Sequence, residues 1–360
     1  MINESRLLDT FLALVRIDSP SGEEAAISHE LANRLERLGL EVSQDSIHNV
    51  VARLPGQGKP LLLAAHMDTV MPGRSVKPVV CDGVVRSDGS TILAADDKSG
   101  IAVILEVLHI VSELGVAHPP LEVLVTVQEE TGLNGVKALD TSCLKSRIGL
   151  SFDAGDAPGT IIVSAPTHNL VSAVVHGKAA HAGSEPEAGV NAILVAAEAI
   201  TSMPIGRIDS ETTANIGVIK GGLARNIVPD RVELLGETRS RQMAKLDAQT
   251  EKMVQALQSA AERHGARVDV DVQRAYEGYQ LSENDAVVSL LMAACRAVGV
   301  EPLLVPSGGG SDANILNARG IRIVNLSTGM AAVHTVEEHV AVQDMASCVR
   351  IVLEFIRSLT

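Results

Sequence analysis

Residues 61–68 read LLLAAHMD, an apolar run closed by a histidine, a methionine and an acid. An apolar run that is continuous rather than alternating is typical of a strand buried on both faces, as in sheets covered by helices. His66 and Asp68 then stand at the carboxyl end of the strand, where open α/β sheets place their ligand sites. With one residue between them, both side chains project to the same side. The stretch predicts an α/β fold with a ligand site at this strand end.

The pattern on either side of this strand extends the prediction. Residues 50–54, 121–127 and 148–152 are further short apolar strands, and residues 98–114 have helical spacing, which gives a βαβ-like order. In residues 164–276 the pattern of predicted elements changes to a β-α-β-β-α-β order, which is typical of a ferredoxin-like unit. We therefore predict a large mixed-sheet domain sandwiched by helices, formed by residues 1–163 plus 277–360, with a smaller ferredoxin-like domain inserted at 164–276.

Composition excludes several classes of protein. Among 360 residues, 46% are hydrophobic and only 1% are aromatic, so a sizeable core is available but base-stacking platforms are not. The net charge of −14 argues against a nucleic-acid partner, because phosphate binding needs a basic surface. The four cysteines form no CxxC pair, residues 1–6 do not have the basic pattern that is typical of a leader peptide, and charged residues interrupt the apolar runs before membrane-spanning length. We expect a soluble, cytoplasmic protein with reduced thiols and no membrane partner.

Two further segments end in paired acids. Residues 91–100 read TILAADDKSG and residues 125–132 read VTVQEETG. Asp96 and Asp97 stand just before a predicted helix, where acids also serve as ordinary caps. Glu129 and Glu130 end an apolar strand, and as neighbours they repel each other unless a cation or a proton intervenes. A two-metal site would use both pairs, with Asp96 as a bridging carboxylate and one glutamate taking a proton from water.

A fourth strand-end acid and a second histidine complete the pattern. Asp153 follows the apolar residues 148–152, and His334 lies in the stretch GMAAVHT at 329–335. Each is ambiguous alone, because such residues are commonly solvated. Taken together, histidines and carboxylates that follow the strands of one α/β unit are the ligands of a dinuclear site for zinc, with manganese or cobalt as alternatives.

These segments resemble the co-catalytic zinc peptidase family that includes peptidase T, glutamate carboxypeptidase and the aminoacylases, and the similarity to its peptidase T-like branch runs through essentially the whole chain. The resemblance implies two divalent metal ions and five ligands: His66 and Asp153 on one ion, Glu130 and His334 on the other, and Asp96 bridging them. It further implies that Asp68 orients His66 and that Glu129 is the general base.

The inserted segment resembles the family's small lid domain, which also mediates dimerisation in many members. The stretches GKAAHAG at 177–183 and GVNA at 189–192 carry this similarity. It implies that His181 stabilises the oxyanion, within its own subunit or across a homodimer. It also implies substrate contacts at a set of five residues: Asn215, Asn226, Arg239, Gly309 and Gly310. An arginine there is a natural bidentate clamp for a substrate carboxylate.

The implied activity is cleavage of peptide bonds in small peptides by an aminopeptidase or tripeptidase. Two departures weaken strict tripeptidase specificity: Arg225 stands where many relatives have threonine, and residues 310–314 read GSDAN where peptidase T has Gly-Thr-Asp-Gly. One alternative is an amidohydrolase or carboxypeptidase acting on N-acyl amino acids or acidic peptides. Another is a non-catalytic module that binds amino-acid derivatives. A Rossmann-type nucleotide site is disfavoured, because no GxGxxG opens a helix.

Overall fold

The computed structural model describes residues 2–360. The chain divides into two compact units. The first unit runs up to Val163 and resumes at Leu281–Pro306 and Ser311–Thr360, and the second comprises Ser164–Gln280 and Ser307–Gly310. In residues 2–360 we find no helix with the length and apolar character that crossing a bilayer requires.

The first unit begins with two helices followed by five strands, and the second unit has a different order. The strands are β1 Glu41–Gln44, β2 Val50–Leu54, β3 Leu61–His66, β4 Val79–Cys81, β5 Val84–Arg86, β6 Leu121–Thr126, β7 Ile148–Ser151, β8 Thr160–Ala165, β9 Thr167–His176, β10 Gly206–Arg207, β11 Thr212–Gly221, β12 Arg231–Ser240, β13 Arg267–Tyr276, β14 Tyr279–Gln280, β15 Leu303–Pro306, β16 Arg322–Leu326 and β17 His339–Ala341. The helices are α1 Glu4–Val15, α2 Ala25–Arg37, α3 Ala95–Leu114, α4 Asn134–Ala138, α5 Ala192–Ser202, α6 Met243–Arg263, α7 Ala286–Ala297, α8 Asp312–Ala318 and α9 Val342–Arg357.

A large mixed sheet forms the centre of the first unit. Its strands lie in the order β1-β2-β6-β3-β7-β16-β8, and β15 pairs with β8. The pairs β3–β6, β3–β7 and β16–β7 are parallel, whereas β1–β2, β2–β6 and β16–β8 are antiparallel. All six residues of β3 and all six of β6 are buried, as continuous apolar runs predict. The predicted α/β class with a large mixed sheet and packed helices is confirmed.

Helix α3 is the central helix of the first unit. It packs against β3, α1 and α9, and its side chains are buried from Ala95 to Leu108. It ends at Gly115, whose left-handed conformation (φ 58°) is the usual helix stop. Because α3 is packed on several sides, its first turn is a rigid support for Asp96 and Asp97.

A separate three-stranded sheet lies in the same unit and has the order β17-β5-β4. Each strand has three residues, and β17 pairs with β5 through His339 to Ala341. Its members are too short to show an alternating pattern, so sequence periodicity did not predict it. The sheet fixes the chain immediately after the segment that carries His334.

The second unit contains an antiparallel sheet of five strands in the order β10-β11-β12-β9-β13. Helices α5 and α6 pack on it, and Val171, Ala173 and Val175 of β9 are buried at alternate positions beneath them. The strand–helix–strand–strand–helix–strand order of the prediction recurs here, with the two-residue β10 added. Alternate burial leaves the other face of the sheet free of these helices.

Candidate metal centre

The central parallel strands bring most of the candidate ligands to one edge of the sheet. His66 is the last residue of β3, Glu129 and Glu130 follow β6, and Asp153 follows β7. Because β3 pairs in parallel with both β6 and β7, the three carboxyl ends meet. The strand-end residues of the sequence analysis therefore share one region of the first unit.

Asp96 lies between the two histidines. One carboxylate oxygen, Oδ1, is 3.0 Å from His66 Nε2, and the other, Oδ2, is 3.2 Å from His334 Nε2. His334 Nε2 is also 2.8 Å from Glu130 Oε1. Asp96 thus presents a different oxygen to each imidazole, which is the arrangement that a bridging carboxylate needs.

The ligand atoms fall into compact triads in which all atoms lie within 4.8 Å of one another. One triad is His66, Asp96 and Asp153, and another is Asp96, Glu130 and His334. These two triads share Asp96 and divide the remaining four residues as the sequence resemblance implies. A further group, formed by His66, Glu129 and Glu130, places the expected general base Glu129 next to one ligand from each triad.

The unpaired carboxylates of the centre fit a divalent cation. Burial, together with the charge of Asp96, raises the pKa of the Asp153 carboxyl to about 8. Burial and the neighbouring charge of Asp153 likewise raise the pKa of Glu129 well above its ordinary value. Within residues 2–360, neither of these two carboxylates accepts a hydrogen bond, and the nearby imidazole of His66 offsets their charge only in part. Oxygen and imidazole donors packed in this way match the preferences of zinc, manganese and cobalt.

The pKa values of the two histidines of the centre are also raised. Hydrogen bonds to Asp96 and Glu130 raise the pKa of His334 to about 10. Burial lowers the pKa of His66, but the carboxylates of Asp68 and Asp96 outweigh it and hold that pKa well above the ordinary value. Both shifts favour the protonated imidazoles, so protons and a metal ion would compete for the same nitrogens.

Asp68 holds the turn that carries Glu129 and Glu130. Its carboxylate is fully buried and accepts the backbone N–H of Glu129 at 2.9 Å and that of Glu130 at 3.2 Å. The Ser21 hydroxyl donates to it at 2.6 Å. The contact with His66 is looser, since His66 Nδ1 lies 3.4 Å from the Asp68 carboxylate and 3.1 Å from the Asp68 carbonyl oxygen. Asp68 contacts both the imidazole and the turn.

Two other side chains complete the support of this turn. Asn49 Oδ1 accepts the backbone N–H of Val127 at 3.0 Å, and Glu24 Oε1 accepts that of Gln128 at 3.0 Å. Gln128 has a left-handed backbone (φ 51°), which ends the strand and redirects the chain. Buried acceptors therefore fix every backbone N–H from Val127 to Glu130.

The other predicted site residues belong to the second unit and are described within it. His181 is exposed, and its Nδ1 accepts the backbone N–H groups of Gly183 and Ser184 at 3.1 and 3.0 Å. An accepting Nδ1 leaves the proton of the neutral imidazole on Nε2, which is then a donor. The backbone carbonyl of the exposed Asn226 accepts the N–H of Ala182, next to His181.

Arg239 has a partner already. It forms a bidentate pair with Glu237, with both nitrogen–oxygen distances at 3.0 Å, and Asn215 faces Glu237 across the strands. A Cβ added to Gly310 would lie 2.3 Å from the ring of Tyr276, so only glycine fits there, and one added to Gly309 would lie 4.0 Å from Arg239 Nη1. The two glycines, Arg239 and Asn215 thus belong to the same unit.

Three buried acids of the first unit were not predicted as functional. Asp312 accepts a hydrogen bond from the Thr126 hydroxyl, and burial raises its pKa to about 6. Asp97 accepts the Gly100 N–H at 3.2 Å, and burial raises its pKa well above normal. Glu338 binds the backbone of the Asp96 segment. The signal available in the sequence was their position, since each lies beside a predicted ligand or substrate loop.

The chain is similar in sequence and in structure to known peptidases. The sequence profile of peptidase family M20/M25/M40 matches residues 62–358. A tripeptidase structure from Staphylococcus aureus is 40% identical, with 100% of this chain and 99% of that one covered and a TM-score of 0.95. The structure of aminopeptidase PepT from Bacillus cereus is 41% identical, with 99% of each chain covered and a TM-score of 0.90. Carboxypeptidase G2 from a Pseudomonas species is 30% identical over 331 residues, which cover 85% of this chain and 77% of that protein.

Proposed function

This chain belongs to peptidase family M20/M25/M40, and on that premise we propose that it is a two-metal hydrolase that removes residues from small peptides. The observation that carries the proposal is the pair of ligand triads that share Asp96. A single metal site would need only one of them. The peptide specificity is supported by the tripeptidase and the aminopeptidase, which are 40% and 41% identical over nearly the whole chain.

The residues that would hold the ions follow from the triads. His66 and Asp153 would hold one, Glu130 and His334 the other, and Asp96 would bridge them, with zinc the first choice and manganese or cobalt as alternatives. When bound, such a pair supplies the positive charge that brings the pKa of a water molecule towards neutrality and polarises a carbonyl. The same charge would relieve the repulsion among the buried acids.

Glu129 is the proposed general base. It stands beside the ligand Glu130 and within the grouping that includes His66, and only 8% of it is exposed. Its carboxylate would take a proton from the attacking water and then deliver that proton to the leaving amine, so that one residue serves both halves of the reaction. The hydrogen bonds from its own backbone and that of Glu130 to Asp68 hold it in place for this transfer.

Two residues of the second unit are proposed to act on the substrate. His181 has a free Nε2 donor for the developing oxyanion, because its Nδ1 is occupied by two backbone N–H groups. Glu237 holds Arg239 through Nε and Nη2 at 3.0 Å, and Nη1, which lies outside that pair, would bind a substrate carboxylate. Asn215, Asn226, Gly309 and Gly310 are proposed to line the same substrate region.

We also propose a homodimer formed through the second unit and a cytoplasmic location. Leu170 and Leu235 lie on the face of the sheet opposite α5 and α6 and are 44% and 51% exposed. A face with such apolar residues suits a partner copy. The four cysteines are all free thiols, which suits a reducing compartment. Light scattering at several protein concentrations tests the dimer, and a monomer at all of them would refute it.

A carboxypeptidase or amidohydrolase activity is the second candidate, and it rests on the 30% identity to carboxypeptidase G2. Both candidates use the same metal chemistry, so the substrate decides between them. The test is hydrolysis of a panel of tripeptides, dipeptides, amino-terminally blocked peptides and N-acyl amino acids by the zinc-, manganese- or cobalt-loaded protein. We expect free tripeptides to be cleaved at the first bond and blocked peptides to be resistant.

The variant Glu129→Gln is the matched control for the panel, because it keeps the shape of the base and removes its ability to accept a proton. Cleavage of N-acyl amino acids or of carboxyl-terminal residues in preference to tripeptides would replace the first candidate with the second. Undiminished turnover by Glu129→Gln would show that the activity does not come from this centre.

A further inference from the structure

A buried carboxylate that is not among the proposed ligands holds the segment that leads to Asp96. Glu338 is 1% exposed, and its side chain accepts three backbone N–H groups. Oε2 binds the N–H of Leu93 at 2.7 Å and that of Ala94 at 2.8 Å, and Oε1 binds the N–H of Asp96 at 3.0 Å. Charge-assisted hydrogen bonds of this kind are roughly twice as strong as neutral ones.

The segment needs such an external partner. Ala94 has a left-handed backbone (φ 66°, ψ 34°), which costs an alanine about 1–2 kcal/mol. Asp96 (φ −80°, ψ 109°) departs from helical geometry although it stands in the first turn of α3. Backbone N–H groups at a helix start have no acceptor four residues earlier. Without Glu338, three backbone donors would be buried and unpaired, and the segment would relax to another conformation.

Glu338 is also tied to the second histidine. It lies four residues after His334, and its own N–H is bonded to the carbonyl oxygen of Thr335 at 3.2 Å. On the other side, β17 begins at His339 and pairs with β5. A short, fixed stretch of chain therefore joins the histidine of one triad to the carboxylate that holds the shared aspartate.

The contacts of Glu338 separate it from the ligands. Both of its oxygens are occupied by backbone N–H groups, and its side chain is enclosed by the protein. It therefore reaches neither a metal ion nor a substrate directly. Its contacts connect it to the reaction through the placement of Asp96 and His334.

We infer that Glu338 is a positioning residue that fixes the bridging Asp96 against His334 before any metal ion binds. The inference rests on the proposed two-metal function, since it assigns Glu338 to the assembly of that same site. Loss of an outer partner of metal ligands typically weakens metal binding by about 10- to 100-fold. A purely structural anchor would lower thermal stability and leave the affinity of the folded protein unchanged.

The test compares Glu338→Gln with Glu337→Gln, a matched control in which the neighbouring, exposed glutamate loses the same charge. Glutamine keeps the length of the side chain but offers one acceptor oxygen and turns an amide N–H₂ towards backbone donors. Zinc affinities are measured by competition with a chelator, at a temperature at which circular dichroism shows each variant folded. The visible spectrum of the cobalt-loaded protein reports the geometry around the ions.

We expect wild type and Glu337→Gln to bind two equivalents with the same affinities and the same cobalt spectrum. In Glu338→Gln, at least one equivalent should bind about 10- to 100-fold more weakly, with a changed spectrum. Wild-type affinities and spectrum in folded Glu338→Gln would overturn the inference, whatever happens to the melting temperature. If wild type itself binds no metal, the proposed function fails and not merely this assignment.

A second measurement applies even if Glu338→Gln does not fold. Hydrogen exchange of wild-type peptides covering residues 93–96 is followed with and without bound metal. An anchor that precedes metal binding predicts slow exchange of these amides in both states. Fast exchange that becomes slow only with metal would show that the ion orders the segment, and the inference would be wrong.

Discussion

Replacing Asp68 by asparagine removes the acceptor on which the Glu129–Glu130 turn depends, and it changes almost nothing in size. The Asp68 carboxylate is fully buried and accepts two backbone N–H groups and the Ser21 hydroxyl. Oδ1 binds the N–H of Glu129, whereas Oδ2 binds that of Glu130. Asparagine has a single carbonyl oxygen, so in either orientation its N–H₂ faces one of these donors.

The magnitude follows from the contacts that are lost. One buried backbone N–H without an acceptor costs about 1–3 kcal/mol. The N–H that keeps an acceptor loses the charge on it, which costs about 1 kcal/mol more. We therefore expect Asp68→Asn to destabilise the protein by roughly 2–4 kcal/mol, and a domain of this size loses about 2–4 °C of melting temperature per kcal/mol.

The effect on turnover should exceed the effect on stability. Glu129 and Glu130 are the proposed base and one ligand, and a displacement of about 1 Å in such groups can cost about 100-fold in rate. The assay is kcat of the metal-loaded variant on a tripeptide, together with a thermal melt. The control is Asp9→Asn, the same change at an exposed helix position, which should stay within about 0.5 kcal/mol of wild type. An Asp68→Asn variant that melts and turns over like this control would refute the role of the turn.

Three further predictions concern the base, the second unit and a close contact. Glu129→Gln should lower kcat by about 10²- to 10⁴-fold while two metal equivalents remain bound, and loss of the metal instead would make Glu129 a ligand. The imidazole of His168, whose Nε2 lies 3.1 Å from Glu237 Oε2, and the guanidinium of Arg239 lower the pKa of Glu237 from 4.5 to about 2. This stabilisation is fully present above pH 4.5 and is lost as the pH falls through about 2, so Glu237→Gln should cost about 1 kcal/mol at neutral pH and much less near pH 2 by denaturant titration. A difference in unfolding free energy between wild type and Glu237→Gln that does not change with pH would contradict this. Gly135→Ala places a Cβ 2.1 Å from the carbonyl oxygen of Val127, so it should destabilise the protein by about 1–3 kcal/mol, and an unchanged melting temperature would be inconsistent with that contact.

The central sheet was predictable because its strands are buried on both faces. Continuous apolar runs predicted residues 50–54 and 121–127, and the structure has β2 at Val50–Leu54 and β6 at Leu121–Thr126. Burial of all six residues in β6 is the physical cause of the pattern. The strands β4 and β5 escaped prediction because three residues, partly exposed, leave no such trace.

The start of α3 shows what local sequence does not contain. The helical pattern predicted a beginning at Lys98, whereas α3 begins at Ala95 with a distorted first turn. That turn is held by Glu338, a residue 242 positions away from Asp96. No periodicity within residues 91–100 reports a partner at that distance, so both the distortion and its cause emerge only from the tertiary structure.

The candidate centre was predictable as a set of residue types at strand ends, because an edge of parallel strands collects whatever follows them. How the ligands divide between two ions came from the resemblance and not from spacing. The structure groups His66 with Asp153 and Glu130 with His334, and Asp96 belongs to both groups. The supporting acceptors Asp68 and Glu24 bind backbone N–H groups, and such contacts have no signature in the sequence.

We propose that two metal ions share Asp96 and that the activity depends on both. The direct measurement is a titration of chelated, metal-free protein with zinc, manganese or cobalt, in which bound metal and tripeptide hydrolysis are followed together. We predict two bound equivalents per chain for wild type, with activity regained as they bind, and weakened binding of both in Asp96→Asn. A chain that binds no metal in excess, or that hydrolyses the peptide at full rate after complete removal of metal, would contradict the account.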